Sequence, residues 1–585
     1  MNYPKDSQTN TSLFVVFVWS TEGCSTANFK KQLRRFDGMI RNPIIPGFHS
    51  DPSIIRVGRD YYVATSSFCW FPGIPLHHSK DLKHWKLVKN LLTKESQVDL
   101  TRLHPCSGIW SPELSYDPVK KRYYLVFTVV LSENKWMFDA DNYIMWTDDI
   151  LGEWSEPIYL NSSGFDTSLL HDDDGRKWFL NKDRDFRDHK VDKRGIILQE
   201  YDPDEHKLIG KPHTISQGAT ERRFAEGPHL FKKDGWYYLI TAEGGTGYGH
   251  CVAMSRSKNI LGPYEPDPCN PIITSVAENF SGTESQPFML PEKYNPQAAL
   301  QKAGHGSLVQ THTGEWYMVH LCSRPVMPEL RCTLGRETAI QKMMWTEDGW
   351  LRMASGGNLA QAETPEMDGV EDAPFPPEPS INTFDQEGLD PHFYTMHNEF
   401  SPAWVKWGPK NNGVLSLRGM ETLNGVGKVG LVARVLTSFH AKVETKVTFE
   451  PDNYTQMAGL ACYYDHQTHY CAYKTYDEVN DRQVIRAHGF VNNKMVDFGV
   501  NIPVEQGLPV YFRLDYELHT LRFSYSFDGK TYSPIGEPQD ATPLSDEASA
   551  CGNFTGTFVG MFAQDNHTKN RWADFHWFAY EPEIS

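Results

Sequence analysis

Three acidic side chains open three similar segments of the chain. Asp51 begins DPSIIRV, Asp166 begins DTSLLHD and Glu226 begins EGPHLFK. Each acid stands directly before a short apolar run, which predicts a place at the start of a β-strand. Carboxyl groups that face one another across a cavity can divide proton transfer between them, one giving a proton and another taking one. The three acids therefore predict a hydrolytic site if the fold brings their segments together.

The same segment pattern occurs five times along the chain. Each copy has a polar opening residue, a short apolar strand, a turn and an aromatic strand, and the copies start 55 to 79 residues apart. A unit of this size holds about four short strands with their loops, which is one blade of a β-propeller. The repeat therefore predicts a five-bladed propeller, with an irregular β-sandwich as the alternative. The five opening residues are Asp51, Ser111, Asp166, Glu226 and His305.

In a propeller the innermost strand of each blade lines the central channel. Asp51, Asp166 and Glu226 are therefore predicted to lie at equivalent places around one cavity. Hydrolysis of a glycosidic bond needs one carboxylic acid to protonate the leaving oxygen and one carboxylate to activate water or attack carbon. A third carboxylate raises the pKa of the acid by like-charge repulsion and so keeps it protonated near neutral pH. The three acids together predict a glycoside hydrolase.

The 585 residues divide into four predicted parts. Residues 39–355 carry the repeat and form the predicted propeller. Residues 356–380 are rich in Pro, Glu and Gly and indicate a linker. Residues 381–585 contain closely spaced β-like segments, which are typical of an antiparallel sandwich. Residues 1–38 are predicted to be an extension; their LFVVFVW stretch resembles a short signal region but has a weakly charged start, so the cytoplasm is favoured over secretion without a decision between them.

Composition limits the partners of the chain. A net charge of −17 and a pI of about 5.7 argue against nucleic acid or an anionic membrane as a partner. No run reaches the roughly 18 apolar residues that a membrane span needs. The cysteines are scattered without a C-x-x-C pair, which argues against a zinc site, and Cys462 and Cys471 are candidates either to pair or to stay free. A homo-oligomer is compatible with the sequence.

The segment NPIIPGFHSDPSIIRVGRDYYVATSSFCWFPGIPLHHSKDLKHWKLV (42–88) resembles the start of glycoside hydrolase family 43, above all its β-xylosidase branch. The resemblance covers about residues 40–355, and the C-terminal part resembles the concanavalin-like sandwich of that branch. It implies an all-β chain in which a five-bladed β-propeller precedes an antiparallel β-sandwich. The motifs that continue it in order are SGIWSPELSY (107–116), GFDTSLLHD (164–172), AEGPHLF (225–231), GHGSLV (304–309) and LGRETAIQK (334–342).

The resemblance implies a role for each of the three acids. Asp51 of HSDPS matches the general base that activates water, and Glu226 of AEGPH matches the general acid. Asp166 of GFDTS matches the residue that orients this acid and tunes its pKa. The implied enzyme is inverting, requires no cofactor and acts on the non-reducing ends of short β-1,4-xylo-oligosaccharides. Removal of α-L-arabinofuranosyl groups is implied as a second specificity.

Five further residues match positions around the sugar. Arg336 of LGRET resembles the sugar-binding arginine, with a structural ion pair as its alternative role. Trp110 and Phe68 match the walls of the sugar pocket, with core packing as the alternative. His305 of GHGS matches a channel histidine that in some relatives helps to hold a divalent cation such as calcium, and a buried hydrogen-bonded histidine is the alternative. Phe554, within CGNFTGTFVGM (551–561), matches a segment that reaches the rim of the pocket.

The sequence departs from the family pattern in two places. Glu113 of WSPEL stands where the resemblance leads us to expect aspartate, and residues 181–194 are more charged than usual. Both leave the preferred pentose open. An arabinan-cleaving hydrolase on the same propeller is one alternative function. A carbohydrate-binding protein without catalysis is another, against which the retention of all three acids argues.

Overall fold

The computed structural model describes residues 38–583 apart from 134–137, 184–194, 277, 284–288 and 553. Nearly all of the predicted extension and most of the charged segment 181–194 lie outside the described residues. The described part is almost entirely β, and its helical elements are two 3₁₀ turns, Pro291–Lys293 and Pro409–Asn411. Among these residues, no helix has the length and apolar character needed to cross a membrane.

Five antiparallel sheets, four of them with four strands and one with five, form the blades of a propeller. Blade 1 contains Ser53–Val57, Asp60–Ala64, Gly73–Ser79 and Lys86–Leu92. Blade 2 contains Gly108–Asp117, Arg122–Glu133, Phe138–Thr147 and Ile158–Asn161. Blade 3 contains Gly164–His171, Lys177–Asp183, Ile196–Asp202 and Lys207–Ser216. Blade 4 contains Glu226–Lys233, Trp236–Glu243, Cys251–Ser257 and Glu265–Pro266, and Ile273–Thr274 also pairs with its third strand; blade 5 contains Gln301–Gln310, Trp316–Ser323, Glu337–Trp345 and Leu351–Met353.

The first strand of each blade is the innermost, as the repeat predicts. Aromatic and β-branched residues fill the second strands, where they pack well between neighbouring strands and blades. Short hairpin turns join the first two strands, and their acidic and glycine residues suit such turns. The order of the elements in each blade therefore follows directly from the repeated sequence pattern.

The ends of the propeller are held together by two short strands far apart in sequence. Met39–Arg41 pairs with Glu363–Pro365, which lies within the stretch predicted to be a linker. Asn42 stabilises the same pairing. Its side chain accepts a hydrogen bond from the backbone N–H of Ile340 and donates one to the Ile340 carbonyl, both at 2.8 Å. The first part of residues 356–380 is thus integral to the propeller, because its backbone completes a sheet that composition alone did not reveal.

Residues from 381 onward form two packed antiparallel sheets. The nine-stranded sheet runs in the order Val405–Lys406, Leu415–Arg418, Trp572–Pro582, His440–Thr448, Val510–Glu517, Thr520–Ser526 and Ser533–Pro534, with Ile381–Thr383 and Gln539–Asp540 added at its strands. The seven-stranded sheet runs in the order Leu431–Val435, Phe558–Asp565, Gln456–Asp465, Thr468–Asp477, Arg482–Val491 and Lys494–Asp497, with Ile502–Val504 beside Arg482–Val491. Cys462 faces the core between the sheets and Cys471 faces the other side, and both are free thiols.

The outer face of the seven-stranded sheet packs against the propeller. Trp70 stacks on Phe558 with ring centroids 3.4 Å apart, and its indole N–H donates to the Thr555 hydroxyl at 3.0 Å. Strand Trp70–Phe71 pairs with Thr395–Met396 across the same junction. Buried aromatic contacts of this size fix the sandwich beside blade 1. The predicted architecture, a five-bladed propeller followed by a sandwich, is confirmed.

Candidate active site

A strained backbone position recurs at the start of all five inner strands. Four of the blades carry a non-glycine residue there, although a left-handed conformation costs such a residue roughly 1–2 kcal/mol. In blades 2 to 5 a shift of register follows at once, which is the mark of a β-bulge. A bulge turns the side chain at this position away from the regular alternation and towards the channel. The residues and their φ angles are Asp51 (54°), Ser111 (41°), Asp166 (56°), Gly227 (53°) and His305 (52°).

Glu226 lies one position earlier than the repeat predicts. The left-handed residue of blade 4 is Gly227, so Glu226 is equivalent to Trp110 of blade 2 and Phe165 of blade 3 rather than to Asp51 and Asp166. The repeat placed the acid of each copy at the same position, but in blade 4 the acid precedes the left-handed residue, whereas in blades 1 and 3 the acid is that residue. Glu226 is half-buried, and it shares its position with two aromatic residues.

Glycine at position 227 has a steric reason as well as a conformational one. A Cβ atom built there would lie 3.0 Å from the ring of His305. A side chain at this position would therefore press on the channel histidine, which would have to shift by a few tenths of an ångström. Because the approach is so close, the position of Glu226 is fixed relative to the centre of the channel.

Asp51 is buried and held by two hydroxyl groups. Its Oδ2 accepts hydrogen bonds from Ser66 at 2.7 Å and from Ser50 at 2.9 Å. Its Oδ1 lies 3.7 Å from Nη1 of Arg336 and 3.5 Å from Nδ1 of His305. Burial alone would raise the pKa of Asp51, but the Arg336 cation and these polar neighbours outweigh burial and lower it. Asp51 is therefore a carboxylate at neutral pH, as a base must be.

Asp166 has the opposite electrostatic character. Its Oδ1 accepts the Ser111 hydroxyl at 2.6 Å, and its Oδ2 accepts the backbone N–H of Gly227 at 2.9 Å. Burial raises the pKa of Asp166, and the negative charge of Asp51 raises it further. Ser111 also donates its backbone N–H to the Ser66 hydroxyl at 2.8 Å. A continuous network therefore connects the two aspartates and the residue next to Glu226.

His305 lies in the channel beside these carboxyl groups, with its Nδ1 3.5 Å from Asp51 Oδ1. Burial lowers the pKa of His305, so the ring is neutral at pH 7 and Arg336 is the cation that acts on Asp51 there. Glu113 and His229 line the same small cavity, with 3.7 Å between Glu113 Oε1 and His229 Nδ1. Glu113, the departure from the family pattern, also accepts the backbone N–H of Leu169 at 2.9 Å. Its longer side chain thus connects blades 2 and 3.

Arg336 projects into the site with free donors. The neighbouring Glu337 makes the structural ion pair instead, since it takes two hydrogen bonds from Arg324 at 2.7 and 2.8 Å and one from the backbone N–H of Gly47 at 3.0 Å. Nε and Nη2 of Arg336 have no hydrogen-bond partner among the described residues. Buried donors without partners are costly, and their fork geometry suits two hydroxyl groups of a ligand.

An aromatic wall stands beside Arg336. Phe554 of the sandwich stacks on Phe68 of the propeller with centroids 5.7 Å apart and planes at 9°, and it meets Trp110 edge-on at 5.4 Å. The Arg336 guanidinium lies 4.8 Å from the centre of the Phe554 ring. Phe165, which packs against Trp110 at 5.7 Å, also belongs to this wall. Sequence reasoning missed Phe165, although its place directly before Asp166 matches that of Trp110 before Ser111.

The arrangement as a whole combines acid–base groups with a sugar-sized wall of rings. Asp51 and Asp166 are brought together with His305, Arg336 and the residue next to Glu226. Phe68, Trp110 and Phe554 lie on one side of them. Two carboxyl groups with different pKa values can cleave an acetal, because one donates a proton while the other accepts one. Apolar ring faces and a forked cation are suited to a hydroxyl-rich ligand.

Comparison with known proteins agrees with this geometry. Residues 40–351 match the family described as Glycosyl hydrolases family 43, and residues 382–581 match the Beta xylosidase C-terminal Concanavalin A-like domain. The chain is 40% identical to the Xylosidase/arabinosidase 43B of Humicola insolens over 553 residues, covering 93% of this chain and 98% of the relative. It is 39% identical to a Xylan 1,3-beta-xylosidase of Vibrio sp over 558 residues, covering 92% and 99%.

A solved structure shows the same likeness over most of this chain. The crystal structure of a xylan beta-1,4-xylosidase from Bacillus halodurans C-125 superposes with a TM-score of 0.86 at 44% identity, covering 93% of this chain and 100% of that one. Sequence and fold therefore agree. This chain belongs to glycoside hydrolase family 43 and is a glycoside hydrolase.

Proposed function

We propose that this enzyme removes single pentose units from the non-reducing ends of short β-1,4-xylo-oligosaccharides, with α-L-arabinofuranosides as a second class of substrate. The observation that carries the proposal is the network in which Asp51 is held ionised, while Asp166 is held beside the acid-bearing segment of blade 4. The names of the relatives at about 40% identity, which include both xylosidase and arabinosidase, support the two substrate classes.

The three carboxyl groups divide the reaction between them. Asp51 accepts a proton from a water molecule as the water oxygen attacks the anomeric carbon. Glu226 donates its proton to the glycosidic oxygen, so that the bond to the leaving sugar breaks as the bond to water forms. Attack from the face opposite to the leaving group inverts the anomeric configuration. Asp166, bound to the N–H of Gly227, orients the acid and its negative charge helps the acid to keep its proton.

The remaining residues determine which sugar fits. Arg336 offers two unpaired N–H directions to the hydroxyl groups of a pentose. Phe68 and Trp110 supply apolar faces, and Phe554 closes one side of the site from the sandwich. A site closed on one side admits the end of a chain and not its middle. This supports cleavage from the end of an oligosaccharide.

Catalysis by these carboxyl groups requires no cofactor, and a divalent cation such as calcium in the channel is a separate proposal. The cavity formed by Glu113, Asp166, His229 and His305 has a volume of about 10 Å³, which is space for one water-sized ligand. Calcium prefers oxygen ligands, so such an ion would be held by the carboxyl groups of Glu113 and Asp166, and the two imidazoles are poor ligands for it. Among the described residues, the groups of three metal-binding side chains lie elsewhere.

Hydrolysis of a small panel of substrates tests the proposal. The panel contains β-1,4-xylobiose, β-1,3-xylobiose, polymeric xylan, arabinan, and the 4-nitrophenyl derivatives of β-xylose and α-L-arabinofuranose. We expect cleavage of β-1,4-xylobiose and both aryl glycosides, with little action on either polymer. Preference for β-1,3-xylobiose would move the assignment towards the linkage named for the Vibrio relative. Rapid cleavage of arabinan, or of nothing in the panel, would contradict the proposal.

A further inference from the structure

The seven-stranded sheet of the sandwich has a second feature on its outer face, away from the catalytic carboxyl groups. The propeller covers part of this face, where Trp70 packs against Phe558 and meets Tyr463 edge-on. Beside the covered part lies an open groove of about 370 Å³, formed across the strands Gln456–Asp465, Thr468–Asp477 and Arg482–Val491. This volume lies within the range of small-molecule binding sites.

The strand pattern aims a distinctive set of side chains into the groove. Ile485 and Ala487 point inwards to the core of the sandwich, so Arg486, His488 and Phe490 point outwards. From the neighbouring strand His469, Tyr473 and Thr475 line the same groove. The Tyr473 hydroxyl lies 2.8 Å from Nδ1 of His488, so the two side chains are fixed relative to each other.

The charge of the groove is unusual for this chain. None of its lining residues is Asp or Glu, although the whole chain has a net charge of −17. Burial lowers the pKa of His488 to about 4 and that of His469 to about 3, so both rings are neutral at pH 7. Arg486 is then the single charge among the lining residues. A groove of this kind suits a neutral, hydroxyl-rich ligand and tolerates an acidic substituent.

The rim and floor show groups that a ligand would satisfy. Tyr454 is 56% exposed and Met495 is 61% exposed, two of the large apolar side chains that the described surface leaves open to water. The Tyr454 carbonyl accepts the Thr475 hydroxyl at 3.0 Å, which holds the backbone that carries this exposed ring. At the floor, Nε of Arg486 and Nε2 of His469 lack hydrogen-bond partners among the described residues, which is costly unless a polar group arrives.

We propose that this groove is a second, non-catalytic carbohydrate-binding site that holds a β-1,4-xylan chain. Exposed Tyr454 and half-buried Phe490 offer ring faces to the apolar faces of successive sugars. Arg486 and Gln564 offer donors to their hydroxyl groups. The choice of xylan over other neutral glycans rests on the proposed function. A chain held here would keep the enzyme close to the polymer from which its short oligosaccharide substrates are released.

Affinity electrophoresis in gels that contain soluble xylan tests this site in the full-length enzyme. Glu226→Gln is the background for all variants, so that the polymer is not consumed during the run. Tyr454→Ala and Arg486→Ala should each raise the Kd for xylan about tenfold, because the first removes a ring contact and the second a charge-assisted hydrogen bond. Tyr159→Ala is the matched control, because Tyr159 is 53% exposed but lies on blade 2, and it should migrate like the background enzyme.

The two proposals fail in different ways. Equal retardation of the Tyr454→Ala, Arg486→Ala and Tyr159→Ala variants would overturn the groove as the binding site. No retardation of the background enzyme by xylan, or equal retardation by hydroxyethylcellulose, would overturn xylan as its ligand. Hydrolysis of β-1,4-xylobiose by Tyr454→Ala in an otherwise unchanged chain is expected to equal that of the unmodified enzyme. Loss of that hydrolysis would show that the groove belongs to the catalytic site and would also overturn the inference.

Discussion

Asp166 of blade 3 accepts the backbone N–H of Gly227 of blade 4 at 2.9 Å. The bond connects one carboxyl group of the site to the residue directly after Glu226, so two blades position one acid. The other oxygen of Asp166 is occupied by the Ser111 hydroxyl at 2.6 Å. Both bonds stabilise the carboxylate form, whereas burial and Asp51 oppose it. Burial and Asp51 prevail, so the pKa of Asp166 lies above its usual value.

Replacement of Asp166 by asparagine should separate positioning from charge. The amide keeps the shape and one acceptor oxygen, but it removes the negative charge that helps Glu226 to keep its proton. We expect kcat on xylobiose to fall by about 10²–10⁴-fold and the basic limb of the pH profile to move to lower pH. Circular dichroism checks that the fold is retained. An unchanged basic limb would show that Asp166 acts by geometry alone.

The identity of the leaving group should distinguish the acid from the base. Glu226→Gln should lose several orders of magnitude on xylobiose but much less on 2,4-dinitrophenyl β-xyloside, because a good leaving group needs little protonation. Asp51→Asn should lose a similar factor on both substrates, since activation of water remains necessary. Steady-state kinetics with a series of aryl xylosides measures this difference. Equal behaviour of the two variants across the series would refute the assigned roles.

Arg336 should control the acidic limb of the pH profile through Asp51. Its guanidinium lies 3.7 Å from Asp51 Oδ1 and is the main influence that lowers the pKa of this buried carboxyl group. Arg336→Gln removes the cation while burial remains, so the pKa of Asp51 should rise. Because the base must be ionised, the acidic limb of kcat/KM should move to higher pH. Arg336→Lys keeps the charge and serves as the control; it should bind sugar less well without moving the limb.

Phe554 and Phe558 should behave differently although they are close in sequence. Phe554 is half-buried at the site and stacks on Phe68, whereas Phe558 is 1% exposed and stacks on Trp70 within the interface. Phe554→Ala should raise the KM for xylobiose with little change in Tm. Phe558→Ala should lower the free energy of unfolding by ~3–5 kcal/mol. A large fall in Tm for Phe554→Ala, with KM unchanged, would make Phe554 a packing residue.

The propeller could be predicted from the sequence because the strand, turn and strand pattern repeats in order five times. The convergence of Asp51 and Asp166 followed from that repeat. The position of Glu226 did not follow from it, because Glu226 precedes the left-handed residue Gly227, whereas Asp51 and Asp166 are themselves the left-handed residues of their blades. The periodic sequence pattern could not predict the stacking of Phe554 on Phe68, because that contact depends on how the sandwich packs against the propeller. Only the family resemblance pointed to that residue.

The strand Glu363–Pro365 and the groove of the sandwich were also hidden from sequence reasoning. Three residues that complete a sheet leave no periodic pattern, and the Pro-rich stretch around them resembles a linker. The groove requires residues from several strands that are distant in sequence. Strand pairing and domain packing depend on the tertiary structure. A single sequence predicts them only where a repeat makes the arrangement regular.

Stereochemistry of the first product tests the central claim most directly. If Asp51 activates water and does not attack carbon itself, the anomeric centre inverts in a single displacement. Proton NMR of a β-xyloside during the first minutes of hydrolysis, before mutarotation, should show α-xylose as the initial sugar. Appearance of β-xylose first would mean that a covalent intermediate forms, and it would contradict the roles assigned to Asp51 and Glu226.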